Sequence, residues 1–363
     1  MAVELFDTRT PLEPLREGVM AAIERVLTSG RYILGPEVSA LEAEFADYCG
    51  ARYGVGVANG TDAITIALRA MGVGPGDEVV VPSFTFYASA EAIPPTGATP
   101  VFCDIDPETY CVTAETVRAA LTPRTKAVIA VHLFGNVAPV AEIQTLGVPV
   151  LEDAAQAAGS TSPAGRPGSL GTAATWSFFP SKNLGGMGDG GMITTFDEQL
   201  AERARTLRFH GSRDKVTYEQ VGYNSRLDEL QAAILRVQLP HLDKWSDGRR
   251  AAERYYREAG LGELVRLPRP TDGSGPAWHL YVISHSQPAC LERALSDAQI
   301  GCKAYYRTPV HRQAAMRAWN GAGIELPGTD EAARAHLAIP MSPVLSRAQV
   351  DEVVTAVRTA LAI

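Results

Sequence analysis

The chain has 363 residues, of which 46% are hydrophobic, and a formal net charge of -8. That length and apolar content suffice for a substantial core divided between a large and a smaller domain, while the negative charge disfavours nucleic acid as a partner, because Lys and Arg supply most of that affinity by neutralising phosphates. Cys49, Cys103, Cys111, Cys290 and Cys302 form neither a CxxC pair nor a Cys/His cluster, which argues against a zinc site or a disulfide framework and fits a reducing cytoplasm. Glu4, Asp7, Glu13 and Glu17 interrupt the region where a signal segment would need a basic stretch followed by an apolar one, and no apolar run has membrane-spanning length. The expectation is a soluble, cytoplasmic protein with no membrane partner.

In chain order, apolar residues recur at helical spacing over 12–27 and 38–48, with Gly35 and Pro36 in the loop between them. Short β-rich runs then alternate with helical stretches: 53–57 with 61–71, 78–81 with 87–93, and 100–103 with 114–121. Runs at 126–131 and 148–152 continue the series. This alternation predicts an α/β fold with a mainly parallel sheet covered by helices on both faces. A long helical stretch over 227–260 leads into a smaller domain, so that residues 1–241 form the large domain and 242–363 the small one. In the latter, strand 278–284, helix 289–298, strand 303–306 and a last helix 347–361 are predicted.

The strongest local signal is Ser177-Phe178-Phe179-Pro180-Ser181-Lys182-Asn183-Leu184-Gly185-Gly186. It sets a single lysine where a strand breaks into a glycine-rich turn. Alone, such a lysine reads as a solvated loop residue. Asp153 ends the apolar run Val148-Pro149-Val150-Leu151, where a parallel strand delivers a side chain to the ligand-binding edge. It reads equally as a cap for a helical 154–158, and Gln156 as part of a capping box. Asn59-Gly60-Thr61-Asp62-Ala63 joins a strand to a helix, and its free backbone amides form an anion site; plain turn chemistry is the blander alternative. Ser177 offers a hydroxyl to the same anion, and Phe86 is either a core aromatic or a ring that stacks on a ligand. Together these residues supply a phosphate cradle, a stacking ring, a carboxylate for a ring nitrogen and an imine-forming lysine. That set suits pyridoxal 5'-phosphate.

These motifs, together with Gly30-Arg31-Tyr32-Ile33-Leu34-Gly35-Pro36, Glu152-Asp153-Ala154-Ala155-Gln156 and Asn224-Ser225-Arg226-Leu227-Asp228-Glu229-Leu230-Gln231-Ala232-Ala233, give a chain that resembles, over nearly its whole length, the DegT/DnrJ/EryC1/StrS sugar aminotransferases. The resemblance implies the fold type I architecture of pyridoxal-phosphate enzymes, with a seven-stranded, mainly parallel sheet in the large domain and a smaller C-terminal α+β domain. It further implies that Lys182 forms the Schiff base and moves the proton between substrate and cofactor. Asp153 pairs with the ring nitrogen, Phe86 stacks, and Gln156 faces the phenolic oxygen. Gly60, Thr61 and Ser177, with Asp62 in the same turn and Asn224 from a neighbouring subunit, hold the phosphate. A homodimer with shared sites follows.

By the same resemblance, L-glutamate donates the amino group and a nucleotide-linked keto-sugar accepts it, with carbon 3 of a dTDP-linked 3-keto-6-deoxyhexose as the expected position. Amination at carbon 4, or of a keto-cyclitol, is the near alternative, and a non-catalytic regulatory protein of the same fold the remote one. Tyr32, Arg226, Tyr306, Arg307 and His311 are the candidate substrate contacts. Arg226 reads equally as a surface salt-bridge residue, and His311 somewhat more readily as a packed, hydrogen-bonded histidine. Many relatives have His-Tyr-Pro where this chain has Tyr305-Tyr306-Arg307. Related sugar dehydratases carry histidine where Lys182 stands, so the lysine points away from that chemistry.

Overall fold

The computed structural model describes residues 3–319 and 323–361. Helices α1 (Arg16–Ser29) and α2 (Pro36–Cys49) precede the sheet, and both end where a glycine, Gly30 or Gly50, takes the left-handed conformation that closes a helix. There follow β1 (Tyr53–Val57), α3 (Gly60–Ala70), β2 (Glu78–Pro82), α4 (Ala88–Glu91), β3 (Thr99–Cys103), α5 (Ala114–Ala120), β4 (Thr125–Val131), α6 (Val140–Gln144), β5 (Val150–Asp153), β6 (Ala173–Ser177), β7 (Gly191–Thr195) and α7 (Glu198–Arg208). The seven strands form one sheet in the order β1-β7-β6-β5-β4-β2-β3. β7 runs antiparallel to both of its neighbours and the rest is parallel, as an α/β chain with crossover helices requires. The runs Val79-Val80-Val81 of β2 and Ala127-Val128-Ile129-Ala130-Val131 of β4 are wholly apolar and buried, as central parallel strands covered by helices on both faces require.

The remaining elements are α8 (Glu229–Gln238), α9 (Leu242–Glu258), β8 (Tyr281–Ser284), α10 (Pro288–Asp297), α11 (Pro327–Ala335), β9 (His336–Ile339) and α12 (Arg347–Ala360). A second core gathers α9, β8, β9 and α12 around the stacked rings of Tyr256 and Tyr281, 5.4 Å apart. Val3 joins this second core, while Val310, Met316 and Leu326 pack with the large-sheet core, so the two cores exchange segments. Among the described residues, no helix is long and apolar enough to cross a membrane.

Four predicted elements differ. The helical stretch 227–260 is interrupted by a 3-10 turn at Leu239–His241, where Pro240 removes an amide donor and restarts the helix. Residues 154–158 form turns, because the Ala154 amide donates to Thr175 O on β6 and the backbone is drawn along the sheet. The helix predicted over 87–93 shrinks to α4. The predicted strand 303–306 is reduced to one bridge, Lys303 with Ala338, and the chain turns away at Tyr305.

Candidate active site

The strand order brings the carboxyl ends of β1, β2, β4, β5 and β6 to one edge of the sheet, and a cavity of about 680 Å³ opens there. Its phosphate-sized corner is built by backbone. Asn59 caps α3 by accepting from the Asp62 amide at 2.8 Å, which leaves the Gly60 and Thr61 amides ahead of the first helical acceptor. Ser177 closes the corner from the end of β6: a Cβ on Gly60 would stand 2.8 Å from Ser177 Cβ and 3.4 Å from its Oγ. Gly191 is needed for the same reason, since its missing Cβ leaves room for Asn59 O. Two amides at the start of an eleven-residue helix and adjacent hydroxyls from Thr61 and Ser177 suit a dianionic phosphate.

Asp153 ends β5, is 6% exposed, and lines the same cavity. Ser89, from α4, donates to its Oδ2 at 2.6 Å, and the Ala155 amide donates to Oδ1 at 3.2 Å. These two bonds hold the carboxylate plane in place. Thr85 Oγ1 lies 3.0 Å from Ser89 Oγ and extends the network. Gln156 accepts from the Phe134 amide at 2.6 Å and donates toward the Tyr306 hydroxyl at 3.4 Å. With no helix behind it, Gln156 completes no capping box. Phe86 is 53% exposed and forms a cavity wall, with its ring tilted 5.9 Å from that of Tyr306.

Lys182 lies in the loop after β6, where its amide donates to Phe179 O at 2.8 Å. The side chain faces the cavity shared with Asp153. Burial pushes its amine down to about 8, with the Asp153 carboxylate pulling the other way. An amine so poised can lose its proton near neutral pH and act as a nucleophile or base.

The DegT/DnrJ/EryC1/StrS aminotransferase family profile matches residues 14–358. The chain belongs to this family. It is 45% identical, over 98% of its own length and 97% of the other's, to a pleiotropic regulatory protein of Geobacillus stearothermophilus. It is 43% identical to the dTDP-3-amino-3,4,6-trideoxy-α-D-glucose transaminase of Streptomyces venezuelae, over 98% and 95% of the two chains. The crystal structure of S. venezuelae DesV in complex with a ketimine intermediate superposes with a TM-score of 0.95 at 42% identity, covering 99% of this chain and 98% of that one. The protein is thus a pyridoxal-phosphate-dependent aminotransferase of fold type I. Its phosphate corner, Asp153 carboxylate and Lys182 amine converge in one cavity of the right chemistry for that cofactor.

The family motifs also have structural work. Glu229, 1% exposed, accepts from the amides of Gly35, Glu37 and Val38 at 2.7, 2.9 and 2.9 Å. It ties α8 to the amino end of α2 and joins the Gly30 and Asn224 motifs into one unit. Of the candidate substrate contacts, Tyr306 lines the cavity. Tyr32 is 48% exposed outside it, and Asn224 and Arg226 lie outside their own chain's cavity, with Asn224 on the surface. Arg307 follows the turn at Tyr305 and Tyr306 and pairs with Glu292, and does not line the cavity. His311 is buried against the Ser83 hydroxyl away from the cavity, the packed histidine that the sequence also allowed. Sequence reading missed Ser89, His279 and Tyr305 as cavity residues. Ser89 fell inside a predicted helix, and His279 and Tyr305 inside predicted strands, so periodicity hid them.

Proposed function

We propose that this aminotransferase moves the amino group of L-glutamate to carbon 3 of a dTDP-linked 3-keto-6-deoxyhexose in two half-reactions at one site. The observation that carries the reading is the convergence of Lys182, Asp153 and the Gly60-Thr61-Ser177 corner in one cavity. Its carbon-3 detail is supported by 43% identity to a transaminase named for a dTDP-3-amino sugar. Pyridoxal phosphate supplies an electron sink for the carbanion that forms when the substrate carbon loses its proton. Asp153 keeps a proton on the ring nitrogen, and Ser89 holds that carboxylate in the plane it needs. Lys182, as a free amine facing the cavity, would take up and return the proton at the substrate carbon. Gln156 has a second amide hydrogen to offer the phenolic oxygen.

No arginine or lysine other than Lys182 lines the cavity among the described residues, so the acceptor's diphosphate needs cations from outside this chain's own half-site. A homodimer supplies one, with Arg226 reaching the partner's cavity alongside Asn224, whose neutral amide adds a donor to the phosphate. The exposed apolar side chains of Val216, Tyr218 and Val221, 81%, 62% and 81% exposed, lie just before Asn224 and suit burial in such an interface.

Purified protein loaded with cofactor should show an absorbance that L-glutamate bleaches. In a panel of dTDP-linked 3-keto, UDP-linked 3-keto and dTDP-linked 4-keto sugars and a keto-cyclitol, the dTDP-linked 3-keto sugar should restore it with the highest kcat/KM, by on the order of tenfold or more. Preference for another acceptor overturns the substrate, and failure of glutamate to bleach the cofactor overturns the enzyme's donor. The second result would favour the regulatory role that one relative's name carries.

A further inference from the structure

His279 lies just before β8, is 3% exposed, and lines the cavity with Lys182. Its Nδ1 is 3.3 Å from Asn183 Oδ1. The other contacts of Asn183 decide which way its amide points: Nδ2 lies 3.2 Å from Ala158 O and 3.1 Å from Ala277 O. Two carbonyl oxygens only accept, so they require the NH2 group and leave an acceptor oxygen facing the histidine. The bond between Asn183 and His279 therefore needs a proton on Nδ1.

A second proton, on Nε2, would create a buried imidazolium. Burial first, and then the cationic neighbours Lys182 and Arg249, hold His279 well below the ordinary histidine range. The ring is neutral, and Nε2 is a bare lone pair. Stacking on Phe6, with centroids 5.7 Å apart, fixes the plane of the ring. Among the described residues no donor reaches Nε2, yet protein does not enclose it, so it faces the cavity.

A fixed acceptor beside the reacting lysine sorts ligands by what they offer. Glutamate, once its amino group is engaged, presents carboxylate oxygens, which repel a lone pair. A keto-sugar presents hydroxyl groups on the carbons that flank its carbonyl, and these donate. We infer that His279 is a substrate-contacting residue whose Nε2 accepts a hydrogen bond from a hydroxyl flanking the carbon to be aminated; this rests on the reading of the acceptor as a keto-sugar. His279 then serves the acceptor half-reaction and not the donor one.

The two half-reactions can be followed separately in the holoenzyme through the cofactor's absorbance, in single turnover. His279→Asn keeps a group near Asn183 but lacks Nε2, and His279→Gln carries an amide oxygen out to where Nε2 stood. The expected result for His279→Asn is an acceptor half-reaction slowed roughly 10- to 100-fold, a donor half-reaction within about threefold of wild type, and partial recovery of the acceptor step in His279→Gln. Nitrogen NMR of ¹⁵N-histidine-labelled, cofactor-free protein should place the proton of His279 on Nδ1. Equal slowing of both half-reactions would mean that His279 acts through Lys182 and overturns the inference, as does a proton found on Nε2. Wild-type enzyme that accepts amino groups from glutamate but passes them to no keto-sugar overturns the acceptor reading and the inference with it. That failure is distinct from one in which the wild type works and His279→Asn matches it.

Discussion

Burial pushes the Lys182 amine down to about 8, and this sets the pH range in which it carries a free lone pair. Below about 8 the group is a cation and cannot attack a carbonyl; above it the amine is free. Capture of pyridoxal phosphate by cofactor-free protein should therefore quicken about tenfold per pH unit up to roughly 8 and level off by about 9. An ordinary lysine would go on gaining to about 10.5. Stopped-flow absorbance across that range checks the value, and a rate still climbing tenfold per unit beyond about 9.5 would show that burial does not shift this amine. Sequence spacing brought Lys182 and Asp153 to notice, but the Ser89 hydrogen bond that orients Asp153 joins residues 64 positions apart and could not be read from either neighbourhood.

At the scale of elements, Glu229 acts on α2 from the first turn of α8. Three amides at a helix start converge on one buried carboxylate, and a neutral amide in its place can accept from fewer of them and turns a donor toward the rest. Glu229→Gln should destabilise the protein by roughly 2–4 kcal/mol, read as a lower midpoint in urea with an unchanged slope. A shift under about 0.5 kcal/mol would mean that water replaces the carboxylate freely. Periodicity foretold α1, α2, α3 and α12 closely, since each buries a stripe of apolar residues. It failed at 154–158 and 303–306, where alanines and aromatics have the right local preference but the backbone is committed to β6 or bends toward the cavity.

At the scale of the whole molecule, Asn224 and Arg226, proposed to add donors to the phosphate and the diphosphate, both sit outside their own chain's cavity. If sites are shared, each needs Lys182 from one protomer and Asn224 from its partner. Lys182→Ala and Asn224→Ala homodimers should both be impaired, the first inactive and the second weak in cofactor binding by on the order of tenfold. Mixing and refolding the two should regain about a quarter of wild-type turnover, because half of the dimers are mixed and each of those rebuilds one native site. No gain on mixing, with dimers verified by sedimentation, would place Asn224 in its own chain's machinery or in none.

The order of residue types along the chain was enough to determine the turn with free amides at Gly60 and Thr61, the lysine at a broken strand, the carboxylate at a strand end and the alternation that makes a parallel sheet. Each of these depends on neighbours a few positions away, where backbone geometry is local. Tertiary packing decided the rest: it turned Arg307 out to Glu292, sealed His311 against Ser83, and brought His279 and Tyr305 to the cavity. Those outcomes depend on which element's side chains fill the space beside another's, and distance along the chain carries no record of that.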